Sequence, residues 1–277
     1  MRKIIWVLLM GIFLIQSSGK PLQAAMDVPD ARPIIEKMLH NYYYSNTDGR
    51  SHAVMEIVSR NGQKRTRDFV ILRKNIPDSL DQFYYVYFYE PSDVRGVVFM
   101  VNKHIDRDDD RWLYLPAIDL VRRISANDKR SSFVGSDFTY EDVSGRRLND
   151  DQYEYVGEES FNDSSGLGTR TAIIIKAVPK EKSLVEFSYR KVWVDKEYLL
   201  PLKVEHYNKR DELYKVFLAL TIETIQDTPT IIKGVMRDLE SKGETTMEFK
   251  EVEYDLGITD DIFTERYLRR PPGEWIK

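Results

Sequence analysis

Short runs of alternating residue character, separated by turn signals such as Asn61-Gly62, fill most of the chain from residue 51 onward. The runs are residues 51–60, 65–73, 83–90, 96–101, 111–115, 120–124, 153–156, 170–178, 185–194, 202–207, 213–222, 230–239 and 245–254. Successive side chains of a β-strand point to opposite faces, so a period of two residues predicts strands. About a dozen short strands with few helical segments predict an antiparallel sheet, sandwich or barrel.

Residues 30–44 are the clearest helical segment of the sequence. Pro33 stands near its start, where a missing N–H costs nothing, and Ile34, Ile35 and Met38 begin an apolar stripe at helical spacing. Residues 125–150 are predicted to be irregular with one short helix, and residues 260–267 to form a short closing helix. No linker or repeat divides the chain, so we expect one domain over residues 26–277.

Several predicted strands are apolar or aromatic on both faces. Tyr84, Val86 and Phe88 share one face of their strand, while Tyr85 and Tyr87 occupy the other. A sheet with one face in water would show polar residues there. Something therefore covers much of the second face: a helix, a lid, another subunit or a ligand. Packing by residues 30–44 and 125–150 and a true cavity both satisfy this pattern.

The N-terminal residues have the order of a secretory signal peptide. Met1-Arg2-Lys3 is basic, residues 4–16 form an apolar run, and Ala24-Ala25 supplies small residues for cleavage. We expect residues 1–25 to be removed after Ala24 or Ala25; an uncleaved anchor is the alternative, although the run is shorter than a membrane span of roughly 20 residues. The count of 0 Cys excludes thiol chemistry and leaves the core to stabilise the fold.

Charge and motifs argue against nucleic-acid binding and catalysis. The chain has 41 Lys and Arg against 45 Asp and Glu, which offers no broad basic face for nucleic acid. It contains 4 His but no nucleophile elbow, His-Glu-x-x-His pair, P-loop or dinucleotide fingerprint. Residues 106–111 are acidic but lack calcium-loop spacing, and they are interpreted as a solvated turn. We predict no enzyme activity, no cofactor and no metal; a hydrolase whose residues meet only in space is the minority hypothesis.

Arg122 and Arg123 are the basic pair with a possible role in a site. Because they are adjacent on a predicted strand, they point to opposite faces. One of them could enter the concave side of a curved sheet and pair with a carboxylate, a phosphate or a lid carbonyl. The alternative is that both are edge or surface charges.

Three separated blocks carry a family resemblance. They are residues 110–117 (Asp-Arg-Trp-Leu-Tyr-Leu-Pro-Ala), residues 121–125 (Val-Arg-Arg-Ile-Ser) and residues 132–142 (Ser-Phe-Val-Gly-Ser-Asp-Phe-Thr-Tyr-Glu-Asp). In this order they resemble the outer-membrane lipoprotein-sorting proteins of the LolA-like group. The signal peptide, the leading helix, the number of strands and the length agree with that group.

The resemblance implies a mainly β fold: a single, strongly curved antiparallel sheet that forms an open half-barrel, with helices covering its concave face. Such a cavity receives acyl chains, so the resemblance implies a periplasmic carrier of lipid or lipoprotein acyl chains. Phe133, Phe138 and Tyr140 would lie in or near a lid, and Trp112 and Tyr114 would share one sheet face. All five, together with Arg122 and Arg123, are candidates to line the cavity or its lid. Ordinary core packing is the alternative for all five residues.

The partners implied by the resemblance are lipids or lipoproteins, with an inner-membrane exporter or an outer-membrane acceptor at either end of the route. A second hypothesis assigns the same fold to this chain but no transport function. In that case the chain is an interaction or sensor module, such as an accessory subunit of a resistance-nodulation-division-type exporter.

Overall fold

The computed structural model describes residues 29–162 and 167–276. All the strands in these residues belong to one antiparallel sheet. The strands are β1 (Asp48–Val58), β2 (Lys64–Asn75), β3 (Gln82–Glu90), β4 (Val98–Lys103), β5 (Asp110–Leu115), β6 (Leu120–Arg123), β7 (Asp151–Phe161), β8 (Arg170–Pro179), β9 (Phe187–Asp195), β10 (Pro201–Asn208), β11 (Leu213–Ile225), β12 (Thr228–Asp238) and β13 (Gly243–Tyr254). Every strand predicted from the alternating pattern is present. The proposed signal peptide, residues 1–25, lies outside the described residues.

The sheet is open. Its strand order is β6-β5-β4-β3-β2-β1-β13-β12-β11-β10-β9-β8-β7, so β6 and β7 are edges that do not pair with each other. The first and last strands meet in the middle, where Met55 of β1 lies opposite Met247 of β13. The predicted fold class, a curved and unclosed antiparallel sheet with few helices, is confirmed.

The leading helix α1 (Ala31–Leu39) covers one end of the concave face and continues into a π-helical turn, His40–Tyr44. Asp30 caps its N-terminus by accepting a hydrogen bond from the backbone N–H of Arg32 at 3.0 Å. Ile35 and Met38 point inward and pack on β8 and β9. The helical stripe predicted from the sequence is therefore the face that α1 buries against the sheet.

A lid, defined here as residues 125–150, crosses the rest of the concave face. Its one α-helix, α2 (Tyr140–Ser144), begins with a capping box in which Thr139 and Asp142 each bond the other's backbone N–H. The lid side chains of Phe133, Phe138 and Tyr140 point toward the sheet and are buried. Phe133 packs within 6.3 Å, between ring centroids, of Phe69, Phe88, Phe99 and Tyr140.

The convex face has its own cover, which the sequence did not predict. The C-terminal residues form a 3₁₀ turn, Asp260–Phe263, and a short helix α3, Arg266–Arg269. Ile258, Ile262, Phe263 and Leu268 are buried there in a second hydrophobic cluster against β2 to β5. This cover explains why β3 is aromatic on both faces. Among the described residues, no helix has both the length and the apolar character to cross a bilayer.

Candidate functional site

Two neighbouring cavities lie between the concave face and its covers. The first has a volume of about 160 Å³ and an apolar floor that includes Ile71, Phe217, Ile231, Met247 and Phe249. Its roof comes from Tyr42 and Tyr43 of the π-helical turn and from Phe138 and Val143 of the lid. These floor residues come from four strands, β2, β11, β12 and β13, and each roof segment supplies only a few side chains.

The second cavity is larger, about 340 Å³, and its wall is partly charged. This volume falls in the range of ordinary ligand pockets, which begins near 300 Å³. Side chains that line both cavities form the boundary between them: Tyr42, Tyr43, Phe138, Asp142 and Phe217. The first cavity and the partly charged second cavity thus share one wall.

Polar contacts tie the lid to several strands, among them β2, β11 and β13. Arg65 of β2 donates to the carbonyl of Gly135 at 3.2 Å. Thr245 of β13 donates its hydroxyl to the Asp137 carboxylate at 2.6 Å and accepts the Asp137 backbone N–H at 3.0 Å. Lys215 Nζ of β11 donates to Asp142 Oδ2 at 2.9 Å. Phe133 adds apolar contacts with Phe69, Phe88 and Phe99, and the lid contributes no strand to the sheet, so it is a separate layer on the concave face.

Among these contacts, the Lys215–Asp142 pair has the largest effect on a pKa, that of Asp142. Burial by itself raises the pKa of the Asp142 carboxyl, but the charge and hydrogen bond of Lys215, together with the Thr139 N–H, lower it to about 2. Beside this pair, burial and then the charges of Lys215 and Arg190 lower the pKa of His206 to about 3. His206 is therefore a neutral imidazole at pH 7, and it lies beside the cations of Lys215 and Arg190 and the carboxylate of Asp142.

Phe138 is the one residue of the predicted set that lines the cavities, and it lines both of them. Phe133 and Tyr140 lie behind it, 5.6 Å apart between ring centroids, where they anchor the lid on the concave sheet face. The structure thus brings these three residues together, as the resemblance implied, but gives them different surroundings.

Trp112 and Tyr114 lie on the convex face, away from both cavities, and this corrects the expectation that they line the cavity. Both belong to the cluster that the C-terminal segment covers. The residue between them, Leu113, points to the concave side and packs with the lid cluster. The alternation of side chains along a strand places residues two apart on one face, but the sequence pattern alone does not say which face is concave. For this reason the sequence did not assign Trp112 and Tyr114 to the correct face.

Arg122 and Arg123 lie on the edge strand β6 and are exposed, at 59% and 64% of their side chains. Arg122 shares the face of Leu113 and pairs with Asp128 of the lid at 3.7 Å. Arg123 lies on the opposite face, where its guanidinium stacks over the Trp112 ring at 5.2 Å. Neither guanidinium lines a cavity, because β6 is the outermost strand.

The polar residues of the second cavity were not found from the sequence. Arg190, His206 and Lys215 lie on three neighbouring strands, β9, β10 and β11. His206 stands opposite Arg190 on one side and opposite Lys215 on the other. The available signal was a charged or imidazole residue inside an otherwise apolar strand, but the pairing register that joins the three is not visible in one sequence.

The remaining candidates for chemistry are engaged in local contacts. His52 Nε2 lies 2.6 Å from Asp68, and His104 contacts Asp81 and Asp110. The buried Asp109 pairs with Arg111. Within residues 29–162 and 167–276, no group of three or more His, Asp or Glu side chains is arranged to hold a metal ion.

Comparisons with solved structures agree with this architecture. A DUF1329 family protein from Desulfovibrio piger superposes with a TM-score of 0.78 at 29% identity, covering 86% of this chain and 97% of that one. An outer membrane lipoprotein-sorting protein domain, so described, from Vibrio parahaemolyticus has a TM-score of 0.78 at 24% identity, with 87% and 98% covered. A LolA superfamily protein from Nitrosomonas europaea has a TM-score of 0.65 at 18% identity, with 86% and 99% covered.

The open sheet, the lid and the cavities between them define a protein with the LolA-like fold. A family model described as an uncharacterized protein matches residues 81–270. The chain belongs to this family, the DUF1329 family of its structural neighbour. No match is found among curated proteins.

Proposed function

We propose that this protein is a non-enzymatic carrier that shelters the acyl chains of a lipid or lipoprotein beneath its lid. The observation that carries the proposal is the apolar first cavity, roofed by separate segments that are not part of the sheet. Each methylene group exposed to water costs ~0.8 kcal/mol, so an acyl chain cannot cross an aqueous compartment unprotected. A concave apolar floor with a removable cover meets that need.

Phe138 is the proposed cargo contact of the lid, because it lines both cavities. Phe217 and Met247 face it from the sheet, and large aromatic and adaptable Met side chains suit a cavity that must accept chains of varied shape. Phe133 and Tyr140 hold the lid in place and do not contact the cargo. Lid displacement then exposes the cavity for loading and release.

We place this activity in the periplasm, after export by the signal peptide at residues 1–25. The cargo passes from an inner-membrane exporter or another donor to an outer-membrane acceptor. Similar structures described as lipoprotein-sorting and LolA superfamily proteins support this route. Export is tested by fractionation: the mature protein should appear in the periplasm with residues 1–25 removed.

Native mass spectrometry of protein purified from periplasm, followed by lipid extraction, tests the carrier proposal. Wild type should carry a co-purifying amphiphile and take up a fluorescent fatty acid. Val252→Trp, which fills the first cavity from β13, should abolish both. Val156→Trp, the same exchange at a half-exposed position on the edge strand β7, should change neither.

Empty wild-type protein that takes up no fatty acid contradicts the carrier proposal. In that case, co-purification of an intact exporter subunit with unlipidated protein would favour the interaction or sensor module. Equal loss of uptake in Val156→Trp and Val252→Trp would mean that the first cavity is not the binding site.

A further inference from the structure

The inner wall of the second cavity is a buried, ionised network. Arg190 donates to Asp151 at 2.6 Å, and Arg146 donates to Asp151 at 2.9 Å and to Glu141 at 3.3 Å. Lys129 pairs with Glu141 at 3.1 Å. Together with the Lys215–Asp142 pair and the Arg146–Asp150 pair at 3.8 Å, the network combines four cations with four carboxylates: Lys129, Arg146, Arg190 and Lys215 with Glu141, Asp142, Asp150 and Asp151.

Two polar atoms of this wall have no hydrogen-bond partner. They are Nε of Arg190 and Nδ1 of His206, and both atoms are buried. The His206 side chain as a whole is 7% exposed, and both residues line the second cavity. A buried donor without a partner costs free energy, which a ligand oxygen at this wall would recover.

Other carboxylates that line the second cavity have partners of their own. Asp137 is bonded to Thr245, Glu186 pairs with Arg130 at 2.8 Å, and Asp238 accepts backbone N–H groups of Glu240 and Ser241. Glu186 is largely exposed, so solvent screens its charge. The wall at Arg190, His206 and Lys215 is the part of the cavity where two cations and unpartnered polar atoms meet.

We propose that the second cavity binds the anionic head group of an amphiphile whose acyl chain lies in the first cavity. The head group is a carboxylate or a phosphate, bound by Arg190, His206 and Lys215. The guanidinium and the ammonium are the side chains that recognise such oxygens, and the neutral imidazole supplies a further donor. Because Tyr42, Phe138 and Phe217 line both cavities, the two are adjacent, and one molecule would span them by displacing part of this shared boundary. The inference rests on the carrier proposal and narrows its cargo to acidic lipids.

Binding of a matched pair of amphiphiles tests the head-group site. A sixteen-carbon fatty acid and the sixteen-carbon alcohol are titrated into the delipidated full mature protein. Wild type should bind the acid about tenfold or more tightly than the alcohol, the difference expected of a hydrogen-bonded charge. Arg190→Met should remove this preference by weakening the acid alone, and Arg190→Lys, which keeps the charge, should retain most of it.

Arg170→Met is the matched control, because Arg170 also forms an ion pair with a buried carboxylate, that of Asp195, but lines neither cavity. It should leave the affinities for both amphiphiles unchanged. Inorganic phosphate should compete with the acid and not with the alcohol. If phosphate binds the wall but no amphiphile competes with it, the site takes free anions and the head-group proposal fails.

Equal affinity of wild type for the acid and the alcohol overturns the head-group site while leaving the carrier proposal intact. Binding of neither amphiphile overturns both. Should Arg190→Met fail to fold, the wild-type preference and the Arg190→Lys comparison still decide the question.

Discussion

At the scale of single residues, the Asp142 side chain has two structural roles. Its carboxylate caps α2 through the N–H of Thr139 at 2.8 Å, and it ties that helix to β11 through Lys215. Both contacts need the ionised form, which the lowered pKa provides at neutral pH. The position of α2 over the cavities therefore depends in part on this charge pair.

Lys215→Met should destabilise the protein by about 3 kcal/mol or more, because it leaves the Asp142 carboxylate without its buried counter-charge. The free energy of unfolding from urea titration measures the loss. Lys64→Met is the control, since Lys64 forms an exposed pair with Glu56 and its loss should cost at most about 1 kcal/mol. Equal costs for the two variants would mean that the lid pair is as solvated as a surface pair.

Acid should weaken the contribution of Asp142 in a defined pH range. Its pKa is lowered from 3.8 to about 2 in the folded protein, so the carboxylate stabilises the fold fully above pH 4. That contribution is lost as the pH falls from about 4 to about 2. The stability difference between wild type and Asp142→Asn, followed by urea titration from pH 6 to pH 2, should therefore shrink below pH 4. A difference that stays constant over this range contradicts the assignment.

At the scale of elements, the alternating pattern predicted the strands closely, because most strands have apolar residues at a period of two. The pattern also showed that β3 is apolar on both faces. It did not reveal that the C-terminal segment covers the convex face, since residues 255–276 have little periodicity of their own. For the same reason Trp112 and Tyr114 were expected at the cavity, when their shared face is the convex one.

The C-terminal segment on the convex face should stabilise the fold without affecting cargo binding, whereas the lid on the concave face should affect binding. Phe263 is 2% exposed and stacks on Phe83 of the convex face with ring centroids 5.2 Å apart. Phe263→Ala should cost roughly 3–5 kcal/mol of stability, the usual effect of a large cavity in a core. The folded fraction should keep the wild-type affinity for fatty acid.

Phe138→Ala is the counterpart of Phe263→Ala in the lid. It should weaken fatty-acid binding per folded molecule, measured by fluorescence titration after correction for the folded fraction. If Phe263→Ala weakens binding as strongly as Phe138→Ala, the two faces are not functionally separate.

At the scale of the whole molecule, the site depends on pairings that are distant in sequence. Residues from β1 and β13, nearly two hundred positions apart, form adjacent parts of the cavity floor, and the lid reaches strands on both sides of them. Amphipathic patterning specifies that each strand has a buried face, but not which strands share a cavity. The sequence therefore predicted a lidded half-barrel through its family resemblance, and the polar wall became visible only with the strand register.

A lid that moves as one layer can be locked to the sheet. A Cβ atom on Gly243 of β13 would lie 3.3 Å from Cγ of Asp137 in the lid, close enough for a disulfide between Asp137→Cys and Gly243→Cys. The chain has 0 Cys, so this pair would be the only thiols. Oxidised double variant should neither load nor release a fluorescent fatty acid, and reduction should restore exchange. Each single variant should exchange at one rate with or without oxidant; exchange that is equally fast in the oxidised double variant would mean that cargo enters without lid displacement.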